Sequence, residues 1–180
     1  VRSPYLSAPS DAVSKWHGRL GPGQRPRIGF AFRGNPDHQN DGNRSLDLAL
    51  FLTALPGGAE YHFLGIDLSG EERKLLSTCA DIHCHTDTLP DFRDTAALVS
   101  LLDHVVTVDT SVAHLAGALG VETSILIAYT PDWRWGVGSR ESDWYGSVRL
   151  CRQSAPGDWS GPLAEIASAL GGLVESRLGG

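Results

Sequence analysis

Asp109, Thr110, Ser111 and His114 place an acid, two hydroxyls and an imidazole within one short stretch of the chain. The same residue types make up a hydrolytic triad, but triad members normally converge from separate loops. No G-x-S-x-G elbow is present, and Gly157-Asp158-Trp159-Ser160-Gly161 carries its serine one position late. Anion binding suits the spacing better. Val105 to Val108 is a β-branched run that reads as a strand enclosed on both faces, and Val112, Leu115, Ala116 and Leu119 then follow helical spacing. Asp109, Thr110 and Ser111 therefore fall where a helix begins, among unpaired N–H groups at the positive end of its dipole. His114, one helical turn beyond Ser111, can face the same space. The plainer reading is that Asp109 or Thr110 only caps the helix.

Two other loops carry chemistry. Arg33 to Arg44 holds Arg33, Asn35, His38, Asn40, Asn43 and Arg44, and an arginine near a helix N-terminus can pair with an anion in bidentate fashion. A solvated surface arginine is the alternative. Tyr129 to Tyr145 gathers Tyr129, Trp133, Trp135, Trp144 and Tyr145, with Asp132 among them. Such rings either stack on a base or sugar or fill the core. Neither G-x-G-x-x-G after the first strand nor a G-x-x-x-x-G-K-[ST] loop occurs. Cys79, His83, Cys84 and His85 lack the spacing of a zinc site, so Cys84 is expected buried, with His83 and His85 on the other face. No metal site is expected.

The elements that position these loops alternate. A helix is expected over Ser10–Leu20 with Ser10 as its cap, and a strand over Arg27–Phe32. Leu48, Phe51, Leu52 and Leu55 then recur at helical spacing. A strand near Tyr61–Ile66, a helix near Gly70–Cys79, a short strand near Asp81–His85 and a helix from Asp94 to Leu102 precede the Val105 strand. Strands over Thr123–Ala128 and Ser147–Cys151 and an amphipathic helix from Trp159 onward complete the series. This alternation implies a Rossmann-like, doubly wound parallel sheet, whose ligands bind beyond the carboxyl ends of its strands. Residues 1–26 read as a linker with a short helix, and residues 27–180 as the Rossmann-like domain.

At 180 residues, with 15 Lys plus Arg against 21 Asp plus Glu, the chain suits one acidic domain. No basic run exists, so nucleic acid is not an expected partner. No apolar stretch reaches the length of a bilayer span, and the start lacks the apolar core of a signal peptide. Three cysteines form no disulfide framework, so a reducing, cytoplasmic setting is expected. Without any methionine, the chain is expected to be a segment of a longer protein or one trimmed at its start.

Several motifs, in order, carry a family resemblance. They are Gly34-Asn35-Pro36 with Asn43-Arg44-Ser45, Asp94-Thr95-Ala96-Ala97-Leu98, and Val108 to Gly120. Pro131-Asp132-Trp133-Arg134-Trp135, Trp144-Tyr145, Arg152-Gln153 and Pro156-Gly157-Asp158-Trp159 follow. The chain resembles bacterial glycosyltransferases of the family 9 type, related to the lipopolysaccharide heptosyltransferases. It looks most like the C-terminal region of tetratricopeptide-repeat proteins of that type. The resemblance implies the donor-binding half of a GT-B enzyme that is inverting and metal-independent. It also implies an N-terminal acceptor domain or repeat array as partner. A nucleotide-diphosphate sugar would be substrate, with no cofactor. Asp109 would meet sugar hydroxyls, Thr110, Ser111 and His114 the diphosphate, and Arg44 the charge developing on the leaving group. Arg44, Asp109 and His114 are thus the catalytic candidates, and Arg33, Asn35, Asn43, Tyr129, Asp132 and Trp133 further donor contacts. A noncatalytic sensing or scaffold domain, or half of a nucleotide-sugar epimerase, would keep the same fold.

Overall fold

The computed structural model describes residues 3–35 and 41–179. Its centre is a six-stranded parallel sheet of β1 (Arg27–Ala31), β2 (Glu60–Phe63), β3 (Ile82–Cys84), β4 (His104–Val108), β5 (Thr123–Ile127) and β6 (Val148–Arg152), in the order β3-β2-β1-β4-β5-β6. The helices are α1 (Ser10–Leu20), α2 (Asp41–Arg44), α3 (Leu48–Leu52), α4 (Gly70–Ser77), α5 (Phe92–Val99), α6 (Ser111–Leu119) and α7 (Ser160–Leu178). This is the expected Rossmann-like class. The strand order reverses between β1 and β4, which pair from Ile28↔His104 to Ala31↔Thr107, so the loops after these two strands leave a crevice.

One sheet face carries Phe30, Phe63, Val106 and Leu126 beneath α3, α4 and α7, with Phe30 stacked on Phe51 at 5.5 Å between ring centres. The other carries Ala31, Leu64 and Val105 beneath α1, α5 and α6. Gly29 in β1 has no side chain because a Cβ there would lie 2.6 Å from Leu102 and 2.7 Å from Leu64. No helix among the described residues is long and apolar enough to cross a membrane.

Local signals account for most element ends. Asp47 caps α3, Ser69 and Glu72 form a capping box on α4, and Asp91 caps α5. Ser10 does not cap α1. It is the first helical residue, Pro9 occupies the cap position, and no side chain closes that end. Helix α3 stops at Leu52, before Leu55, where Pro56 disfavours helical backbone in the residue ahead of it. The polar loop after β1 contains the single turn α2, which apolar periodicity cannot reveal because none of its residues is buried. Helix α1 docks on α5: Asp94 accepts from the Trp16 indole at 2.8 Å and from Lys15 at 2.9 Å. The motif residue Asp94 therefore fastens the N-terminal helix to the sheet domain.

Candidate functional site

The crevice is built from the two loops that diverge after β1 and β4. Chain direction changes sharply at Thr110, which is extended at φ −140° and ψ 173° immediately before α6. Its hydroxyl does not cap the helix. It pairs instead with the Thr107 hydroxyl at 3.1 Å, while Thr107 also donates to the Val108 carbonyl at 2.9 Å. No side chain satisfies the first turn of α6, so the plain capping reading fails for both Asp109 and Thr110. The Ala113 N–H donates to the Thr110 carbonyl at 3.1 Å, which leaves the Ser111 and Val112 N–H groups of the first turn to meet an anion.

Arg44 reaches this junction from the end of α2. Its Nε pairs with Asp41 at 3.1 Å and its Nη1 donates to the Asp109 carbonyl at 2.9 Å. With the side chain only 14% exposed, the guanidinium is held against the backbone where β4 becomes α6. The loop is tightened further by the Gly34 N–H, which donates to the Ser45 hydroxyl at 3.2 Å.

A cleft of about 660 Å³ opens beside these groups, within the range of small-molecule sites. Arg33, Asn35, Arg44, Thr110 and Ser111 line its polar part. Ile66 and Leu89, from the loops after β2 and β3, and Phe92, the first residue of α5, line an apolar part. Arg33 is already engaged: it donates to the Asp67 carbonyl at 2.9 Å and pairs with Glu72 at 3.0 Å, tying the β1 loop to the β2–α4 connection. Asn43 lies exposed on α2. His38 and Asn40 fall outside the described residues.

His114 does not line the cleft. Its ring stacks on Trp135 at 5.0 Å with 16° between planes, and its Nδ1 bonds the Tyr145 hydroxyl at 3.0 Å. Burial pulls its pKa below the usual imidazole value, against the opposing pull of Asp109 and with help from Arg134. Beside it, Arg44, Asp109, Thr130, Asp132 and Trp135 border a second, much smaller recess. Arg44 belongs to both spaces. Tyr129 is exposed, and Trp133 is 73% exposed and lies edge-on to Trp144 at 6.2 Å. The structure thus gathers Arg44, Asp109, Thr110, Ser111 and Asp132, and turns Tyr129 and Trp133 outward. The residues missed by sequence reasoning are Trp135 at the recess and Ile66, Leu89 and Phe92 in the cleft.

The cysteine and histidine segment departs from expectation. Cys84 and His83 are exposed, whereas His85 is buried and its Nε2 bonds Nδ1 of His62 in β2 at 3.0 Å. β3 is a three-residue edge strand, and the face that gains cover is the one under α1, where Trp16 lies edge-on to His85 at 5.2 Å. Among the described residues, no group of three or more His, Cys, Asp or Glu side chains is arranged to hold a metal ion.

No protein-family model matches the chain, and no curated protein does. Solved structures do. The chain is similar to the E. coli ADP-heptose lipopolysaccharide heptosyltransferase II, with 16% identity and a TM-score of 0.63 over 96% of this chain and 54% of that one. It is also similar to the family 9 glycosyl transferase from Veillonella parvula, with 11% identity and a TM-score of 0.62 over 97% and 53%. At these identities the likeness establishes the α/β, Rossmann-like fold found in glycosyltransferases. The chain spans about half the length of both structures.

Proposed function

We propose that this chain is the nucleotide-sugar donor-binding half of a GT-B glycosyltransferase related to the lipopolysaccharide heptosyltransferases. One observation carries the reading: at the crevice between β1 and β4, the uncapped N-terminus of α6 stands beside a guanidinium fixed by Asp41 and the Asp109 carbonyl. Backbone N–H groups, a helix dipole and a fixed cation converging on one point favour a diphosphate. Thr110 and Ser111 bind its oxygens, and the nucleoside extends toward Leu89 and Phe92. Asp109 takes up hydroxyls of the sugar. His114 acts from behind, holding the aromatic loop through Trp135 and Tyr145.

In transfer, charge develops on the departing diphosphate, and Arg44 and the α6 dipole are preorganised to stabilise it. A fixed cation of this kind fits metal-independent, inverting displacement with no further cofactor. The base that activates the acceptor then comes from an N-terminal acceptor domain, in a cytoplasmic protein that carries tetratricopeptide repeats. Without that half the acceptor is not held in place, so this chain alone binds donor but transfers sugar poorly. Calorimetric titration with ADP-, UDP- and GDP-sugars tests the reading. Saturable heat from one of them supports it, and silence from all at millimolar concentration overturns it.

A further inference from the structure

Three imidazoles lie together beside the N-terminal helix. His62 of β2 stacks on His83 at 5.2 Å and on His85 at 5.3 Å between ring centres, and its Nδ1 bonds the His85 Nε2 at 3.0 Å. His62 and His85 are buried, and Trp16 of α1 covers His85 edge-on at 5.2 Å. Trp16 is itself fully buried and is the main anchor of α1. The other ties between α1 and α5 are the ion pairs of Lys15 with Asp94 and of Asp11 with Arg93, and each involves exposed side chains.

The pair is built to stay neutral. In the neutral pair one ring donates the shared proton and the other accepts it. A first added proton leaves a buried charge, and a second sets two N–H groups face to face. The charged groups that act on the pair are all cations: Arg19 of α1 and His83 of β3 on His85, and Arg27 of β1 and His83 on His62. Carboxylates nearby are engaged elsewhere. Asp94 of α5 is taken by Trp16 and Lys15, and Asp87, in the turn after β3, is 85% exposed and pairs with Arg73 at 3.9 Å. Burial, more than these cations, lowers His62 to about 3 and His85 to about 4.

The pair is also joined to the cleft. Thr88 closes the turn Thr86–Thr88 on the His85 carbonyl, to which its N–H donates at 2.8 Å and its hydroxyl at 3.1 Å. The next residue, Leu89, packs in one cluster with Trp16 and Ala12 of α1 and lines the cleft. Lifting α1 therefore hydrates His85 and uncovers the inner side of the Leu89 wall.

We propose that the His62–His85 pair is an acid-sensitive latch that holds α1 on the sheet, and that its release slackens the cleft wall at Leu89. Protons bind the opened form more tightly than the closed one, so opening is suppressed above about pH 6.5 and becomes more frequent as pH falls below it. The device is local and does not depend on which ligand the cleft takes.

Hydrogen exchange of the chain at about pH 7 and about pH 5, corrected for intrinsic exchange rates, tests it. The amides of α1 and of residues 85–92 are expected to open at least about tenfold more often at the lower pH, while those of β4 and β5 stay protected. His62→Asn with His85→Gln keeps a hydrogen bond between the two sites without a titrating ring, and is expected to abolish the response. His85→Gln alone should roughly halve its logarithm, and His104→Gln, at a buried histidine remote from α1 in the fold, should leave it unchanged. Equal opening of α1 at the two pH values overturns the latch, as does opening of α1, β4 and β5 together. A response that survives the double substitution, or that His104→Gln removes, overturns it too. Opening of α1 with residues 85–92 still protected overturns the link to the cleft.

Discussion

The guanidinium of Arg44 lies directly over Gly34, so that a Cβ at position 34 would come within 2.3 Å of Nη2 and 2.7 Å of Cζ. Gly34 has an ordinary backbone conformation, and the atoms it would strike belong to the end of a flexible side chain. Gly34→Ala should therefore spare the fold and displace Arg44 from the Asp109 carbonyl. We expect a denaturation midpoint close to that of the parent and a diphosphate affinity lowered by roughly tenfold. Unchanged affinity would mean that the seating of Arg44 on Gly34 does not matter for binding.

Asp94 is 7% exposed and joins α1 to α5 through Trp16 and Lys15, which hold its carboxyl below the usual carboxylate pKa. Asp94→Ala strands the buried indole N–H of Trp16 and should cost about 1–3 kcal/mol. Lys15→Ala, at a side chain 61% exposed, should cost less than about 1 kcal/mol. Urea titrations of the two variants check the order, and a larger loss at Lys15 would reverse the assignment.

Acid sensitivity should come first from histidines. Burial is the main force lowering His62 to about 3 and His85 and His104 to about 4. Unfolding returns each toward 6.5, so below that value the unfolded chain binds more protons than the folded one. Stability is then full above about pH 6.5 and falls as pH drops toward 4, by up to about 1.4 kcal/mol per pH unit for each histidine. Urea midpoints between pH 7 and 4 measure this, and His104→Gln should flatten the slope. A slope that the substitution leaves untouched would assign the acid loss to other groups.

Donor binding should survive metal removal, because Arg44 and the α6 terminus supply the positive charge that a diphosphate needs. Calorimetric heats for the tightest nucleotide sugar are expected to be the same before and after dialysis against EDTA. Heat that vanishes on chelation and returns with magnesium or manganese would contradict the role given to Arg44.

The framework of this fold is legible in its sequence because the central strands β1, β2, β4 and β5 are rich in β-branched or aromatic residues and the long helices have apolar faces. Alternation tells which strand residues share a face, but not which face is covered. His85 and Cys84 exchanged their expected burial for that reason, since the cover comes from α1, far away in the chain. The arginines show a similar limit. Arg33 and Arg44 bound the same polar loop, yet Arg33 is spent on Asp67 and Glu72 while Arg44 reaches the α6 junction. Trp133 and Trp135 are two residues apart, and the short 3-10 turn that contains both puts one in solvent and the other in the core. Composition marks such a loop as aromatic without saying which ring is inside.

The central claim, a diphosphate site made by Arg44 and α6, is tested most directly by calorimetry on the parent chain and Arg44→Ala with a nucleotide sugar, its diphosphate and its nucleoside. The account predicts that Arg44→Ala weakens both diphosphate-bearing ligands by about tenfold or more and leaves the nucleoside unchanged. Equal losses for nucleoside and diphosphate, or no loss for either, would contradict it.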